Sequence, residues 1–214
     1  MDKRVGSGPQ GPDQEKTPNE RGVVDFADAR VRLRSRARPS NESLMHELDE
    51  IRSLLDQGRS REAKDRLTLL ISNARNHPTV LALARCALST ALEQQGHYRD
   101  SLAAVAMYES PESRAKMDDQ TASLLRVQIG LGYNYNGDHP KAIAMLNSIL
   151  RDYSENGSFN VGHIYAALSR IYRTISEYPI ARDYAQRALE NFRQNGDWRG
   201  LAESYFGVGV ADIQ

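Results

Sequence analysis

The 214-residue sequence has only one cysteine, Cys86, and no run of apolar residues long enough to cross a membrane. A single cysteine excludes an internal disulfide framework and fits a reducing compartment. A membrane helix needs about 18 or more continuous apolar residues. The first residues, MDKRVGSGPQG, also lack the apolar segment of a secretory signal. We therefore predict a soluble, cytoplasmic protein that does not enter the membrane.

The sequence has no overall excess of charge, because 28 basic residues balance 28 acidic ones. This balance argues against a globally basic nucleic-acid binder. Residues 1–40 nevertheless carry nine Lys/Arg and six Asp/Glu, together with many glycines and prolines. We predict that they form a disordered arm. Alternation of five arginines in this arm suggests phosphate contacts as an alternative to a solvated tail; they are Arg30, Arg32, Arg34, Arg36 and Arg38.

Patterns typical of catalytic and metal sites are also missing. The five histidines do not have metal-ligand spacing, and Cys86 has no second cysteine with which to form a zinc site. There is no nucleophile–base pair and no glycine-rich phosphate loop after a strand. We predict no catalytic residues, no metal and no cofactor. Cys86 is expected to be a small apolar residue rather than a nucleophile.

From Asn41 onward, apolar residues recur at intervals of three and four, which predicts helices. A short motif with a break residue and, five places later, a small residue occurs four times. The four copies are GRSREA at 58–63, GHYRDS at 96–101, GDHPKA at 137–142 and SEYPIA at 176–181. The small residues are therefore separated by 38, 41 and 39 positions. A repeat of this length is typical of stacked helical hairpins.

The residue types fit the packing of such hairpins. Glycine at the break allows a sharp turn between antiparallel helices, and Ser176 is expected to cap the following helix through its hydroxyl instead. The small residue lies where the second helix crosses the first, and a larger side chain would separate the two axes. Gly130 costs about 1 kcal/mol relative to alanine in a helix, a cost that closer helix packing can offset.

Two segments carry a family resemblance. YAALSRIY at 165–172, followed by Ala181, Ala185 and Ala188, resembles the tetratricopeptide repeat. RVQIGLGY at 126–133, followed by Ala142, Leu146 and Ile149, also resembles it, although Arg126 replaces a bulky residue. The copies at 44–77 and 82–115 depart further, and in the first of them Ile51 occupies the small-residue slot. The spacing in this chain exceeds the family's period of about 34 residues. In this respect the chain is similar to the long-repeat subgroup of signalling adaptors and bacterial transcription regulators.

The resemblance implies an all-α, right-handed superhelix of stacked antiparallel helical hairpins. We place the hairpins at about 41–77, 80–115, 121–155 and 159–194, followed by an unpaired helix at about 198–214. An unfinished repeat leaves an apolar face uncovered. We therefore expect either that the chain is part of a longer protein or that this helix mediates self-association.

Family geometry implies that the first helices line a concave groove. The expected concave positions are Arg52, Leu55, Leu83, Cys86, Thr90, Glu93, Leu124, Val127, Leu131, Asn134, Tyr135, His163, Ala166, Arg170, Arg173 and Glu203. As partner-binding residues we select Val127, Leu131, Asn134, His163, Arg170 and Arg173. Arginine and asparagine together can hold a carboxylate or the carbonyls of an extended peptide. The same row would also fit an ordinary solvated helix face.

The resemblance therefore implies a non-enzymatic scaffold that binds a protein or peptide. A finer hypothesis is the sensor or interaction portion of a larger bacterial signalling or transcription regulator. Two alternatives remain open: nucleic-acid association through the arginine arm, and a structural role in dimerisation.

Overall fold

The helices found in the structure, a computed structural model, follow the predicted periodicity. The structure describes residues 39–154, 161–198, 200–202, 204, 205 and 209. All of them belong to one compact unit, Pro39–Gln214. The predicted arm with Arg30, Arg32, Arg34, Arg36 and Arg38 lies outside the described residues, as does Glu203.

Within the described ranges the regular structure is helical and no strand is present. The helices are α1 (Asn41–Asp56), α2 (Ser60–Asn73), α3 (Pro78–Gln94), α4 (Tyr98–Val105), α5 (Pro111–Arg114), α6 (Asp119–Tyr135), α7 (His139–Ser154), α8 (Gly162–Thr174) and α9 (Tyr178–Asn195). Residues 198, 200–202, 204, 205 and 209 are also helical. None of the described helices is long and apolar enough to cross a bilayer.

Consecutive helices pack as pairs, and the first helices of successive pairs also touch: α1 contacts α3, α3 contacts α6 and α6 contacts α8. The predicted all-α stack of helical hairpins is confirmed by this arrangement. Polar side chains fix where two of the helices begin. The Ser40 hydroxyl accepts a hydrogen bond from the backbone N–H of Ser43 at 3.1 Å, and Asp118 does the same for Thr121 at 2.8 Å.

The predicted break residues are the turns between paired helices. Gly58, Gly96 and Gly137 have φ values of +73°, +76° and +87°, and Ser176 shares this left-handed conformation with φ +64°. The expectation that the Ser176 hydroxyl caps the next helix is wrong. Helix α9 begins after Glu177 without a side-chain cap. Ser176 instead turns the chain with its backbone, although it has a Cβ that disfavours this conformation.

The small residues at the helix crossings are fully buried, as the repeat predicts. Ala63, Ser101 and Ala142 are 0% exposed, and Ala181 is 1% exposed. A Cβ on Gly130 would lie 3.2 Å from Leu146 Cδ2 on the partner helix α7. This contact explains why α6 tolerates a glycine in its interior.

The second hairpin departs from the predicted pattern, because its second helix is short. Helix α4 ends at Val105, a 3₁₀ turn covers Ala106–Tyr108, and α5 starts at Pro111. Arginine side chains take up the carbonyls that this interruption exposes. Arg85 Nη1 donates to the Ala104 carbonyl at 3.2 Å, and Arg114 Nη1 donates to those of Tyr108 and Glu109. These bonds satisfy acceptors that a continuous helix would have used itself.

Candidate binding groove

The first helices of the four hairpins border a cavity of about 260 Å³. Its wall contains most of the predicted concave positions. It is formed by Arg52, Leu55, Leu83, Cys86, Ala87, Thr90, Glu93, Leu124, Val127, Gln128, Leu131, His163, Ala166, Ala167 and Arg170. The structure thus brings together four of the six selected residues: Val127, Leu131, His163 and Arg170. This happens because α1, α3, α6 and α8 lie side by side and present the same face.

A second, more polar cavity of about 630 Å³ adjoins the first. It is lined by Leu55, Asp56, Thr90, Glu93, Gln94, Tyr98, Tyr135, Arg170 and Ala202. Four residues line both cavities, and we call them the seam: Leu55, Thr90, Glu93 and Arg170. We call the two cavities together the groove. Both cavities have apolar and polar side chains in their linings.

Glu93 lies in the seam at the centre of a polar network that joins three helices. Its Oε1 accepts hydrogen bonds from Gln128 Nε2 at 2.7 Å and Ser101 Oγ at 3.0 Å, with Ser89 Oγ farther away at 3.5 Å. The two serine hydroxyls are 2.9 Å apart, and Gln128 Nε2 also reaches Ser89 Oγ at 3.0 Å. The network therefore links α3 and α4 of one hairpin to α6 of the next.

Burial determines the protonation of this carboxylate. It raises the pKa of Glu93 to about 7, while the Ser101 hydrogen bond, the positive charge of Arg170 and the bonds from Ser89 and Gln128 act in the opposite direction. Sequence reasoning placed Glu93 on the concave side without selecting it as a site residue. The available signal was the pair Ser89 and Ser101, because two hydroxyls in buried small-residue slots require hydrogen-bond partners.

Arg170 connects the seam to an aromatic pair at the edge of the groove. Its Nη1 donates to the Tyr135 hydroxyl at 3.2 Å, and the Tyr135 ring stacks on Tyr98 with centroids 5.1 Å apart and planes 13° apart. His163 lies at the other side of the first cavity. Its Nε2 is 3.5 Å from Asp197 Oδ2, and its ring meets the edge of Phe192 at 4.9 Å between centroids. These contacts orient both side chains.

The other two selected residues are not on the wall of either cavity. Asn134 is only 1% exposed, and its Oδ1 is 2.9 Å from His139 Nδ1, on the side of α6 that faces the start of α7. Asn134 Nδ2 is buried without a hydrogen-bond partner. Arg173 is partly buried; burial lowers its pKa, and the charge of Arg170 adds to the effect. A partner-binding role for Asn134 and Arg173 stays a prediction.

Cys86 lies on the wall of the first cavity as a partly buried free thiol. Burial raises its pKa to about 12, so little thiolate is present near neutral pH. In the described part of the chain, no three His, Cys, Asp or Glu side chains are grouped to hold a metal ion. The chemistry that the groove offers is therefore shape, apolar contact, two arginines and the carboxylates of Glu93 and Asp56, all of which suit binding.

Comparison with known proteins identifies the repeats. Residues 120–194 match the family model of the tetratricopeptide repeat. This confirms the resemblance for helices α6 to α9, which include both segments that carry it. A search of curated proteins found no match to this chain. Tetratricopeptide repeats are interaction scaffolds that are typically not catalytic, so the match over residues 120–194 supports, at this general level, a scaffold for protein–protein interaction.

Proposed function

We propose that this chain, whose residues 120–194 belong to the tetratricopeptide repeat family, is a non-enzymatic scaffold that binds a segment of a partner protein in its groove. The observation that carries the proposal is that the groove is continuous across all four described hairpins. Most of its residues come from α1, α3, α6 and α8; Tyr98 of α4 and Ala202, which follows α9, complete it. A site spread over several hairpins suits an elongated ligand better than a small molecule.

The composition of the groove supports a peptide as the ligand. Leu83, Val127 and Leu131 are each 7–8% exposed and form an apolar wall in the first cavity. Apolar side chains of a partner would lose water against this wall. Arg170 and Glu93 in the seam supply polar groups that can fix the direction and register of the bound segment.

A blocking substitution in the seam tests the proposal. Thr90 lines both cavities, and Thr90→Trp would fill the space that the segment needs. Thr68→Trp is a matched control, because Thr68 is exposed on α2 and its hydroxyl also bonds to the carbonyl four residues earlier. Peptides would be selected from a random library on the full chain, and their affinity measured by fluorescence anisotropy.

We expect the selected peptides to bind the wild type and Thr68→Trp equally, and to lose at least about tenfold in affinity for Thr90→Trp. Failure to select any peptide would contradict the proposal. Peptides that bind both tryptophan variants with wild-type affinity would also contradict it, because they would bind outside the groove.

The finer hypothesis concerns context. We propose that the chain is the sensor or interaction portion of a larger bacterial signalling or transcription regulator of the long-repeat subgroup. The support is the 38- to 41-residue spacing and the turn at Gly196, which is followed by Ala202 as between repeats. The hypothesis requires a native protein heavier than the 24.0 kDa of this chain. Mass spectrometry of the protein isolated from cells would check it.

Exposed aromatic residues favour self-association as a second candidate. Trp198 is 80% exposed and Tyr205 is 56% exposed, both within the predicted C-terminal helix. An isologous contact between two copies would bury them. We expect a mass that increases with concentration in analytical ultracentrifugation and that Trp198→Glu with Tyr205→Glu keeps at the monomer value. A wild-type chain that stays monomeric at every concentration would exclude this candidate.

A further inference from the structure

The carboxylate of Glu93 uses only one of its two oxygens within the described part of the chain. Gln128, Ser101 and, at longer range, Ser89 all bond to Oε1, and no described residue donates to Oε2. Glu93 lines both cavities of the groove. Above pH 7, where Glu93 is ionised, the seam therefore presents a fixed hydrogen-bond acceptor whose position is determined by donors on three helices.

A segment bound in the groove changes the surroundings of Oε2. It covers the seam and removes the water that solvates this oxygen. A buried carboxylate oxygen without a donor is costly, so a good partner must bring a donor to it. Segments that bring only apolar groups to the seam are rejected for the same reason.

The charges around the seam restrict the kind of donor. Arg52 and Arg170 line the same cavity as Glu93, and Arg170 is close enough to lower its pKa. Arg52 is paired with Asp49 at 3.2 Å, whereas the charge of Arg170 acts on Glu93 and disfavours an ammonium or guanidinium on the partner at this point. It favours a neutral donor with a carbonyl oxygen beside it. The carboxamide of an asparagine or glutamine side chain combines the two groups.

We propose that Glu93 determines the specificity of the groove by accepting a hydrogen bond at Oε2 from the carboxamide of an asparagine or glutamine in the bound segment. The inference rests on the proposed function, because it requires a peptide in the groove. The carboxamide carbonyl faces the positive side of the seam. At pH 8, where Glu93 is ionised, neither asparagine nor glutamine can be replaced by its acid, because a second carboxylate would meet Glu93 without a donor.

Glu93→Gln replaces the hydrogen-bond acceptor Oε2 by a hydrogen-bond donor. The introduced carboxamide must keep its oxygen toward Ser101 and Gln128, which donate, so its nitrogen takes the place of Oε2 and presents a donor. A random peptide library would be selected on the full-length wild type and on Glu93→Gln at pH 8. We expect wild-type selections to favour Asn or Gln at one position, and Glu93→Gln selections to favour Asp or Glu there.

Synthetic pairs that differ only by Asn or Asp at that position quantify the change. Their affinity ratio should invert between wild type and Glu93→Gln, by at least about tenfold in each direction. Glu62→Gln, an exposed carboxylate on α2, serves as the control and should keep the wild-type preference.

Two results overturn the inference in different ways. Peptides that need the groove, as shown by Thr90→Trp, but have the same Asn/Asp ratio on wild type and Glu93→Gln would overturn the role of Glu93 and leave the proposed function standing. If no peptide binds in the groove, both fail together.

Discussion

At the scale of single residues, Glu93 has an effect on stability as well as on recognition. The pKa of a glutamate in the unfolded chain is about 4.5, and burial raises it to about 7 in the folded protein. Between these values the folded state holds a proton that the unfolded state has lost. The contribution of Glu93 to the free energy of unfolding is therefore fully present below pH 4.5 and is lost as the pH rises to 7.

Glu93→Gln should remove this pH dependence, because glutamine stays neutral. We expect the variant to match the wild type near pH 4.5 and to have a higher free energy of unfolding at pH 8, by up to about 3 kcal/mol. Urea unfolding at a series of pH values measures the difference. Glu62→Gln should follow the wild-type curve, and an unchanged slope in Glu93→Gln would show that folding does not raise the pKa of Glu93.

Ser176 is the one described non-glycine residue with a positive φ, and it can be tested in the same way. Its side chain is exposed, so replacing it removes the backbone strain without creating a cavity. We expect Ser176→Gly to raise the free energy of unfolding by about 1 kcal/mol. Gly137→Ser is the reciprocal change at the preceding turn, where a Cβ meets no atom within 4 Å. We expect it to lower the free energy of unfolding by a similar amount. Equal midpoints in urea for all three chains would contradict the argument.

These residues show which parts of the site follow from sequence. The buried slots at Ala63 and Ala142 are predictable, because a repeated local motif fixes them. The position of the Asn134 side chain is not predictable, since a small rotation of α6 decides whether this side chain faces the groove or α7. The Glu93 network is not predictable either, because it joins Glu93 to Gln128, 35 positions away. Such partners are defined by the stacking of hairpins rather than by periodicity.

At the scale of helices, the glycines of α6 set its distance from two neighbours. A Cβ on Gly132 would lie 3.0 Å from Leu102 Cδ1, 3.2 Å from its Cβ and 3.3 Å from its Cα. A Cβ on Gly130 would meet only the side-chain atoms Cδ2 and Cγ of Leu146 within 3.3 Å. The backbone of α4 cannot move away as easily as the end of a leucine side chain.

We therefore expect Gly132→Ala to lower the free energy of unfolding by about 1–2 kcal/mol, although alanine favours helix by about 1 kcal/mol. Gly130→Ala should change it by less than about 1 kcal/mol, since the helical gain offsets the shift of Leu146. Thermal and urea unfolding of the two variants provide the comparison. A larger loss for Gly130→Ala than for Gly132→Ala would show that α4 is the more mobile neighbour.

The interruption of α4 shows what helix-scale reasoning can and cannot predict. Pro111 is visible in the sequence and favours a new helix start at that point, with the Ser110 hydroxyl accepting from the Ser113 N–H at 3.3 Å. The end of α4 at Val105 is harder to predict, because the compensating bond comes from Arg85 on α3. A helix end that depends on another helix leaves no local pattern.

At the scale of the whole molecule, amide side chains at the turns tie the second hairpin to the first and the third to the second. Gln94 Nε2 donates to the Leu55 carbonyl at 3.3 Å, and Gln95 Nε2 to that of Ser60 at 3.0 Å. Asn136 Nδ2 repeats the contact one hairpin later, donating to the Tyr98 carbonyl at 3.0 Å. The stability of such an array is a sum over hairpins and their interfaces. A ligand that spans several hairpins therefore stabilises them together.

Cys86 can report this effect, because it is the single thiol of the chain and lies on the wall of the groove. A pKa of about 12 instead of 9.0 leaves about a thousand times less thiolate at pH 8. We expect an aromatic disulfide reagent to modify the folded chain slowly, the urea-unfolded chain rapidly, and the chain saturated with a selected peptide at least about fivefold more slowly than the free folded chain.

The control moves the thiol to the outer surface. Cys86→Ser with Thr68→Cys places one cysteine on the exposed face of α2, where modification should be fast and independent of peptide. If bound peptide slows Cys86 and leaves the outer thiol unchanged, the protection is local to the groove. Equal slowing of both thiols would show that the peptide acts on the reagent or on the whole array. An unprotected Cys86 at saturating peptide would mean that the ligand does not enter the first cavity, which contradicts the proposed function.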